Sequence, residues 1–95
     1  MASRIKGFDW DGGNWPKCAR HGLSKAEIES VFHHAPAVFA DPTQSEQRLR
    51  AIGISDRQRY VFVVFTFREL EDGTYVRPIS ARHMHKKEID RYDQG

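Results

Sequence analysis

Cysteine is almost missing from this chain. Cys18 stands alone, so no internal disulfide can form, and an intracellular, cytoplasmic setting is expected. No apolar run reaches the length of a membrane span, and Met1 to Lys6 lacks the apolar core of a secretory signal. There is no Gly-rich phosphate loop and no nucleophile elbow, which removes the common nucleotide-binding and serine-hydrolase readings. His33-His34 and His83-x-His85 have no cysteine or carboxylate at a metal-ligand spacing, so they read as solvent-exposed histidines, and neither a metal nor another cofactor is expected. Paired carboxylates are limited to Asp9 and Asp11, which alternate with Phe8 and Trp10 as the wet face of an edge strand would. Internal repeats, low-complexity tracts and linkers are also lacking. The 95 residues fit one domain, 1–95, with a modest core.

What the chain does have is arginine, unevenly placed. Of fifteen basic residues ten are arginine. Residues 1–47 carry five basic and six acidic side chains, whereas residues 48–95 carry ten basic and seven acidic ones, so the basic excess lies in the second half. A net charge of +2 is too small to demand a nucleic-acid partner, but planar guanidinium groups suit bidentate contact with phosphate.

The pattern of apolar residues predicts an α+β domain. Ile5 to Trp10 reads as a short strand ended by Asp11-Gly12-Gly13-Asn14. A short helix from Pro16 is stopped by Gly22 and places Lys17 and His21, four apart, on one face. Within it Cys18 reads as a small half-buried residue rather than a nucleophile. Ser24 and Glu27 form a capping box, Leu23 and Ile28 a hydrophobic staple, and Pro36 closes the second helix. Val38-Phe39 is a brief extended piece. Gln47 to Ser55 alternates, with Leu49, Ala51 and Gly53 on one side and Arg48, Arg50, Ile52 and Ile54 on the other. Tyr60 to Phe67 is apolar on both faces and is expected to be central and covered twice. With a returning strand through Ile79 to Arg82 these pieces make a three-stranded antiparallel meander, closed by a helix from about Met84 to Asp93 that carries His85, Ile89 and Tyr92 on one stripe.

One feature of the meander points towards function. A two-residue turn at Asp72-Gly73 would pair Glu71 with Thr74 and set Arg68 directly opposite Arg77. Facing like charges destabilise a ladder, so the two guanidinium groups either splay into water or are aimed at an anion. Pro78 cannot donate to a ladder and puts the last strand at an edge or gives it a bulge. Strict alternation would place Arg77 and Arg82 on opposite faces, and a bulge at Pro78 would reunite them.

Phe8-Asp9-Trp10-Asp11, Asn14, Lys17, Arg20-His21-Gly22, Val31-Phe32, Arg48, Ile52-Gly53, Arg59, the Val61 to Arg68 strand and Arg77 through Ile79-Ser80-Ala81-Arg82, with Glu88 and Tyr92, resemble the BrnT-type toxins of bacterial type II toxin–antitoxin modules. The resemblance covers roughly residues 8 to 92. It departs at Gly12-Gly13-Asn14-Trp15-Pro16, a segment that is commonly longer and lysine-bearing, and at Pro78. It implies a small RelE-like fold and a ribonuclease that cuts messenger RNA without a metal and arrests growth. The implied partner is a ribbon-helix-helix antitoxin, through which alone the toxin meets operator DNA. RNA cleavage needs a base for the 2′-hydroxyl, charge stabilisation at phosphorus and a proton for the leaving 5′-oxygen. On the resemblance and that chemistry His21 is the acid or base and Arg82 and Arg77 clamp phosphate. Lys17 or Arg68 supports them, and His83 or Tyr92 gives the leaving-group proton. Arg48 and Arg59 join Arg68 as RNA contacts. The alternative is a binding module whose arginines meet an acidic antitoxin and cut nothing.

Overall fold

Alternation along one long strand organises the molecule. Val61, Val63 and Phe65 are buried on one face of β4 (Tyr60–Leu70), while Phe62, Val64 and Thr66 are half-buried on the other. Around it the computed structural model, which describes residues 5–41 and 47–94, sets a five-stranded mixed sheet. The other strands are β1 (Ile5–Phe8), β2 (Ala37–Ala40), β3 (Leu49–Ile54) and β5 (Gly73–His83), and the sheet order is β1-β5-β4-β3-β2. The expected three-stranded meander is therefore only the centre of the sheet. β1 joins it parallel to β5, and β2 closes the other edge antiparallel to β3.

Helix α1 (Lys25–His33) covers the apolar face. Ile28 and Val31 are fully buried against a core of Ala51, Val61, Val63 and Phe65. Ser24 caps it as expected, its Oγ accepting from Glu27 N at 3.0 Å. The reciprocal half of the capping box goes elsewhere: the buried Glu27 carboxylate accepts from Ser55 Oγ at 3.2 Å, and Ser30 Oγ accepts from Asp56 N at 3.0 Å. These bonds tie α1 to the β3–β4 turn. A tertiary partner outcompetes the local one because Glu27 faces the sheet.

Three other expectations are corrected. The first of the two N-terminal helices is a five-residue 3₁₀ turn, Lys17–His21, ended by Gly22 at φ 90°. Residues three apart stack in a 3₁₀ turn, so Lys17 aligns with Arg20 and not with His21. Second, the hairpin turns one residue earlier, at Glu71-Asp72, with Leu70 opposite Gly73. Gly73, at φ 144°, begins β5 where β1 crosses closest, and a Cβ there would come within 2.6 Å of Lys6 Cγ. Arg68 thus faces Tyr75 and Arg77 faces Thr66, which relieves the direct like-charge opposition. Third, β4 is not covered along its whole length on either face: α1 packs over Val61, Val63 and Phe65 and leaves the Phe67 end exposed. The closing helix α2 (Lys86–Gln94) meets the other face near Phe62 and leaves the Thr66 end open.

The bulge at Pro78 is present. Val64 pairs with Ser80 and Phe65 with Pro78, so Ile79 is an extra residue on β5. It turns Arg77 and Arg82 to the same face, that of Thr66 and Phe62.

Candidate functional site

Beyond Phe8, β1 stops pairing after Asp9 N donates to Val76 O, and residues 11–22 run alongside the second half of β5 instead. Asn14 fixes that loop. It is 3% exposed, its Nδ2 donates to Asp9 O (2.9 Å) and to Pro78 O at the bulge (2.8 Å), and its Oδ1 accepts from Asp11 N (2.9 Å). On the outer side Trp10 Nε1 donates to Glu29 Oε2 at 2.8 Å, and Lys25 Nζ lies over the rings of Trp10 and Trp15. The loop is held from both sides, and it carries Lys17 to the open face of the sheet.

There a cleft of about 290 Å³ is walled by Gly13, Asn14 and Lys17 from the loop, Arg48 before β3, Thr66 and Arg68 from β4, and Arg77 and Ile79 from β5. Four of the basic residues named from sequence meet in it: Lys17, Arg48, Arg68 and Arg77. Arg77 is not an open clamp. Its Nη1 donates to Asp9 Oδ2 (3.2 Å) and Asp11 Oδ2 (3.1 Å), and its Nη2 to Asp11 Oδ1 (3.0 Å). Arg68 Nε lies 3.8 Å from the same Asp9 oxygen and stays half exposed. Gly13 N donates to Asp11 Oδ1 at 2.8 Å, and a Cβ on Gly13 would stand 2.9 Å from Arg77 Nη2, so this position takes the smallest residue. The Arg77 bonds, then the Gly13 amide, hold the Asp11 carboxyl below its usual range; in return Asp11 holds the Arg77 guanidinium charged. Asp9 and Asp11 were legible only as the wet side of a strand. Their i, i+2 spacing, which puts both on one side, is the signal that marked them as a joint partner for one arginine.

The remaining candidates lie elsewhere. Arg82 sits four β4 residues from the cleft, about 13 Å along the strand. It stacks over Phe62 at 4.7 Å and makes two 2.8 Å bonds to the Glu88 carboxylate, which also accepts from His85 N at 2.9 Å. The Arg82 bonds, then the His85 amide, pull Glu88 down to about 2. Arg82 therefore fastens the first turn of α2 to the sheet. Tyr92, on the same helix, packs edge-on against Tyr60 at 6.2 Å, away from the cleft. His83 faces the α1 side beside Val61, and its Nε2 is buried with no hydrogen-bond partner, which corrects its reading as solvent-exposed. Arg59 is exposed in the β3–β4 turn, seven residues or about 23 Å from Thr66. His21 is exposed at the end of the turn that carries Lys17. Cys18 is buried at 1% exposure, and burial pushes its thiol up, away from nucleophilic use.

Among the described residues no group of three or more His, Cys, Asp or Glu is arranged to hold a metal ion. No helix among them is long and apolar enough to cross a membrane.

Comparison with the curated proteins finds no match. The family model described as the ribonuclease toxin, BrnT, of type II toxin–antitoxin systems matches residues 10–88, which runs from Trp10 beside the Arg77 clamp to Glu88 at the Arg82 bond. With most of its length matched, including every residue that walls the basic cleft, the chain belongs to the BrnT family of ribonuclease toxins.

Proposed function

We propose that this chain is a RelE-like toxin that cuts single-stranded messenger RNA at the Lys17–Arg48–Arg68–Arg77 cleft, without a metal ion, and is silenced by a ribbon-helix-helix antitoxin. The observation that carries this reading is the convergence of four basic side chains from four separate segments on one open cleft. A phosphodiester entering it meets Arg68 and Lys17 at the rim, while Asp9 and Asp11 hold Arg77 rigid at the back. In the cleavage step the ribose 2′-oxygen loses its proton to a base and attacks phosphorus. The P–O5′ bond breaks and an acid protonates the departing oxygen. The products are a 2′,3′-cyclic phosphate and a 5′-hydroxyl, so neither water nor a metal is consumed. His21, exposed at the end of the turn that carries Lys17, is assigned a proton transfer, and Lys17 and Arg68 stabilise the charge on phosphorus. Arg48 follows the backbone into the cleft.

Arg82 and Tyr92 are assigned to holding α2, and Arg59 and His83 are given no part in the reaction. Incubation of the purified protein with a single-stranded RNA in EDTA tests the proposal. Fragments ending in 5′-hydroxyl and cyclic phosphate are expected. Cleavage that vanishes on chelation and returns with a divalent ion contradicts the metal-free step, and intact RNA under every condition favours the binding-module reading. That second reading has one observation in its favour: both Arg77 and Arg82 already have bidentate carboxylate partners.

A further inference from the structure

The face opposite the cleft is incompletely covered. α1 has nine residues, a length of about 14 Å, whereas the eleven residues of β4 extend about 36 Å. Past the end of α1 the sheet stays apolar but bare. An open groove of about 330 Å³ runs there, with Ile5 from β1, Val76 from β5, Phe67 from β4 and Val38 from β2, bounded by Phe32 and Pro36 at the end of the helix. No charged side chain lines it. Val38 is 51% exposed and Phe67 42%, large values for apolar residues on a sheet that is otherwise packed. The edge strand β2, Ala37-Val38-Phe39-Ala40, likewise carries no charge or proline to blunt it.

From β1 to β2 the groove crosses four strand spacings, about 19 Å, the length of an amphipathic helix of about 13 residues. The undescribed residues 1–4, 42–46 and 95 contain one large apolar side chain, Met1. The family supplies an occupant, because a type II toxin is silenced by a protein antitoxin. We propose that the antitoxin lays an apolar helix face into this groove, across the ends of β1, β5, β4 and β2, as its anchor on the toxin. Anchoring here leaves the basic cleft, on the other face of the sheet, to a separate segment of the same partner. The partner then wraps one sheet edge: an apolar segment behind, and a segment complementary to arginine in front.

This inference rests on the reading of the chain as an antitoxin-silenced toxin, and its test is kept apart from RNA cleavage. The full-length chain with Val38→Glu, and separately with Phe67→Glu, is titrated with its purified cognate antitoxin. Each substitution is expected to weaken binding on the order of 100-fold, because a charge is buried in an apolar contact. Both side chains lie outside the cleft, so RNA cleavage by the free variants is expected to stay at the wild-type level. A Val38→Cys variant covers the case in which a glutamate disturbs folding. Its thiol should react with a maleimide in the free toxin and be protected by antitoxin, while buried Cys18 stays silent in both. Unchanged affinity with full thiol reactivity in the complex overturns the proposal. So does a free toxin that dimerises through the groove, with Val38→Glu making it monomeric and leaving antitoxin affinity intact, since the groove would then belong to a second copy. A free protein that cuts no RNA but binds antitoxin through Val38 sinks only the ribonuclease assignment.

Discussion

The two ends of the open sheet face use the same device for different purposes. At one end Arg77 is gripped by Asp11 and Asp9, and at the other Arg82 is gripped by Glu88, each through a bidentate arginine–carboxylate pair. What surrounds the pair decides its role. Around Arg77 stand Lys17, Arg48 and half-exposed Arg68, lining an open cleft. Around Arg82 stand Phe62 and, over the same ring, Arg50, itself bonded to Asp41 at 3.2 Å, under a helix that caps its own first turn with the same glutamate. Each pair holds its arginine in place. The proposed site is the end where the neighbouring cations line an open cleft.

The largest expected effect separates the two ends by activity. His21→Ala should lower RNA cleavage by a factor on the order of 10² to 10⁴ with the melting temperature unchanged, because an exposed side chain contributes little packing. Tyr92→Phe should leave the rate as it is, since the ring contact with Tyr60 does not need the hydroxyl. Comparable losses in the two variants would join the ends into one site and break the comparison.

A second effect concerns how the cleft is built. Asn14→Ala removes the donor to Pro78 O and Asp9 O and the acceptor for Asp11 N in a buried position. A destabilisation of about 1–3 kcal/mol is expected from the orphaned groups, read by chemical denaturation. Gly13→Ala adds a methyl 2.9 Å from Arg77 Nη2, so it should lower activity more than stability, by shifting the guanidinium rather than opening the core.

How much of this was legible in the sequence follows the range of the interactions. The capping box and apolar face placed α1, alternation placed β3 and an unbroken apolar run placed β4, because burial of Ile28, Val31, Ala51, Val61 and Val63 imposes those patterns directly. The bulge was foreseeable from Pro78, which has no amide to offer. Lys17, Arg48, Arg68 and Arg77 were named singly from sequence, but their meeting in one cleft depends on β1 pairing with β5 across 68 or 69 residues, a contact that leaves no local pattern. The turn was misplaced by one residue because Gly73 is needed under Lys6, not in the loop. Glu27 and Glu88 show the same limit in opposite directions. Glu27 sits at a capping-box position but bonds Ser55, whereas Glu88 caps its helix and also reaches back to Arg82.

A smaller difference should appear in salt dependence. Arg68→Gln is expected to reduce the slope of log affinity for single-stranded RNA against log salt by roughly 0.7, one phosphate contact, at little cost in stability because its link to Asp9 is long and half exposed. Arg82→Gln should leave that slope alone and loosen α2. The smallest effect is in acid. The Arg82 and His85 bonds hold Glu88 down to about 2 in the folded protein, below its ordinary 4.5, so its contribution is present above about 4.5 and is lost as the pH falls towards 2. Near-ultraviolet signals from Tyr60 and Tyr92 should report α2 loosening in that window, and Arg82→Gln should abolish the transition.

The most direct test of the account compares one residue from each end under identical conditions. Initial rates of single-stranded RNA cleavage in EDTA are measured for the wild-type protein, Lys17→Ala and Arg82→Gln. The account expects Lys17→Ala to lose at least about tenfold, as removal of a charge stabiliser should, and Arg82→Gln to stay within about twofold of wild type. An Arg82→Gln protein that is folded but inactive, beside a Lys17→Ala protein of normal rate, would move the reaction to the α2 end and contradict it.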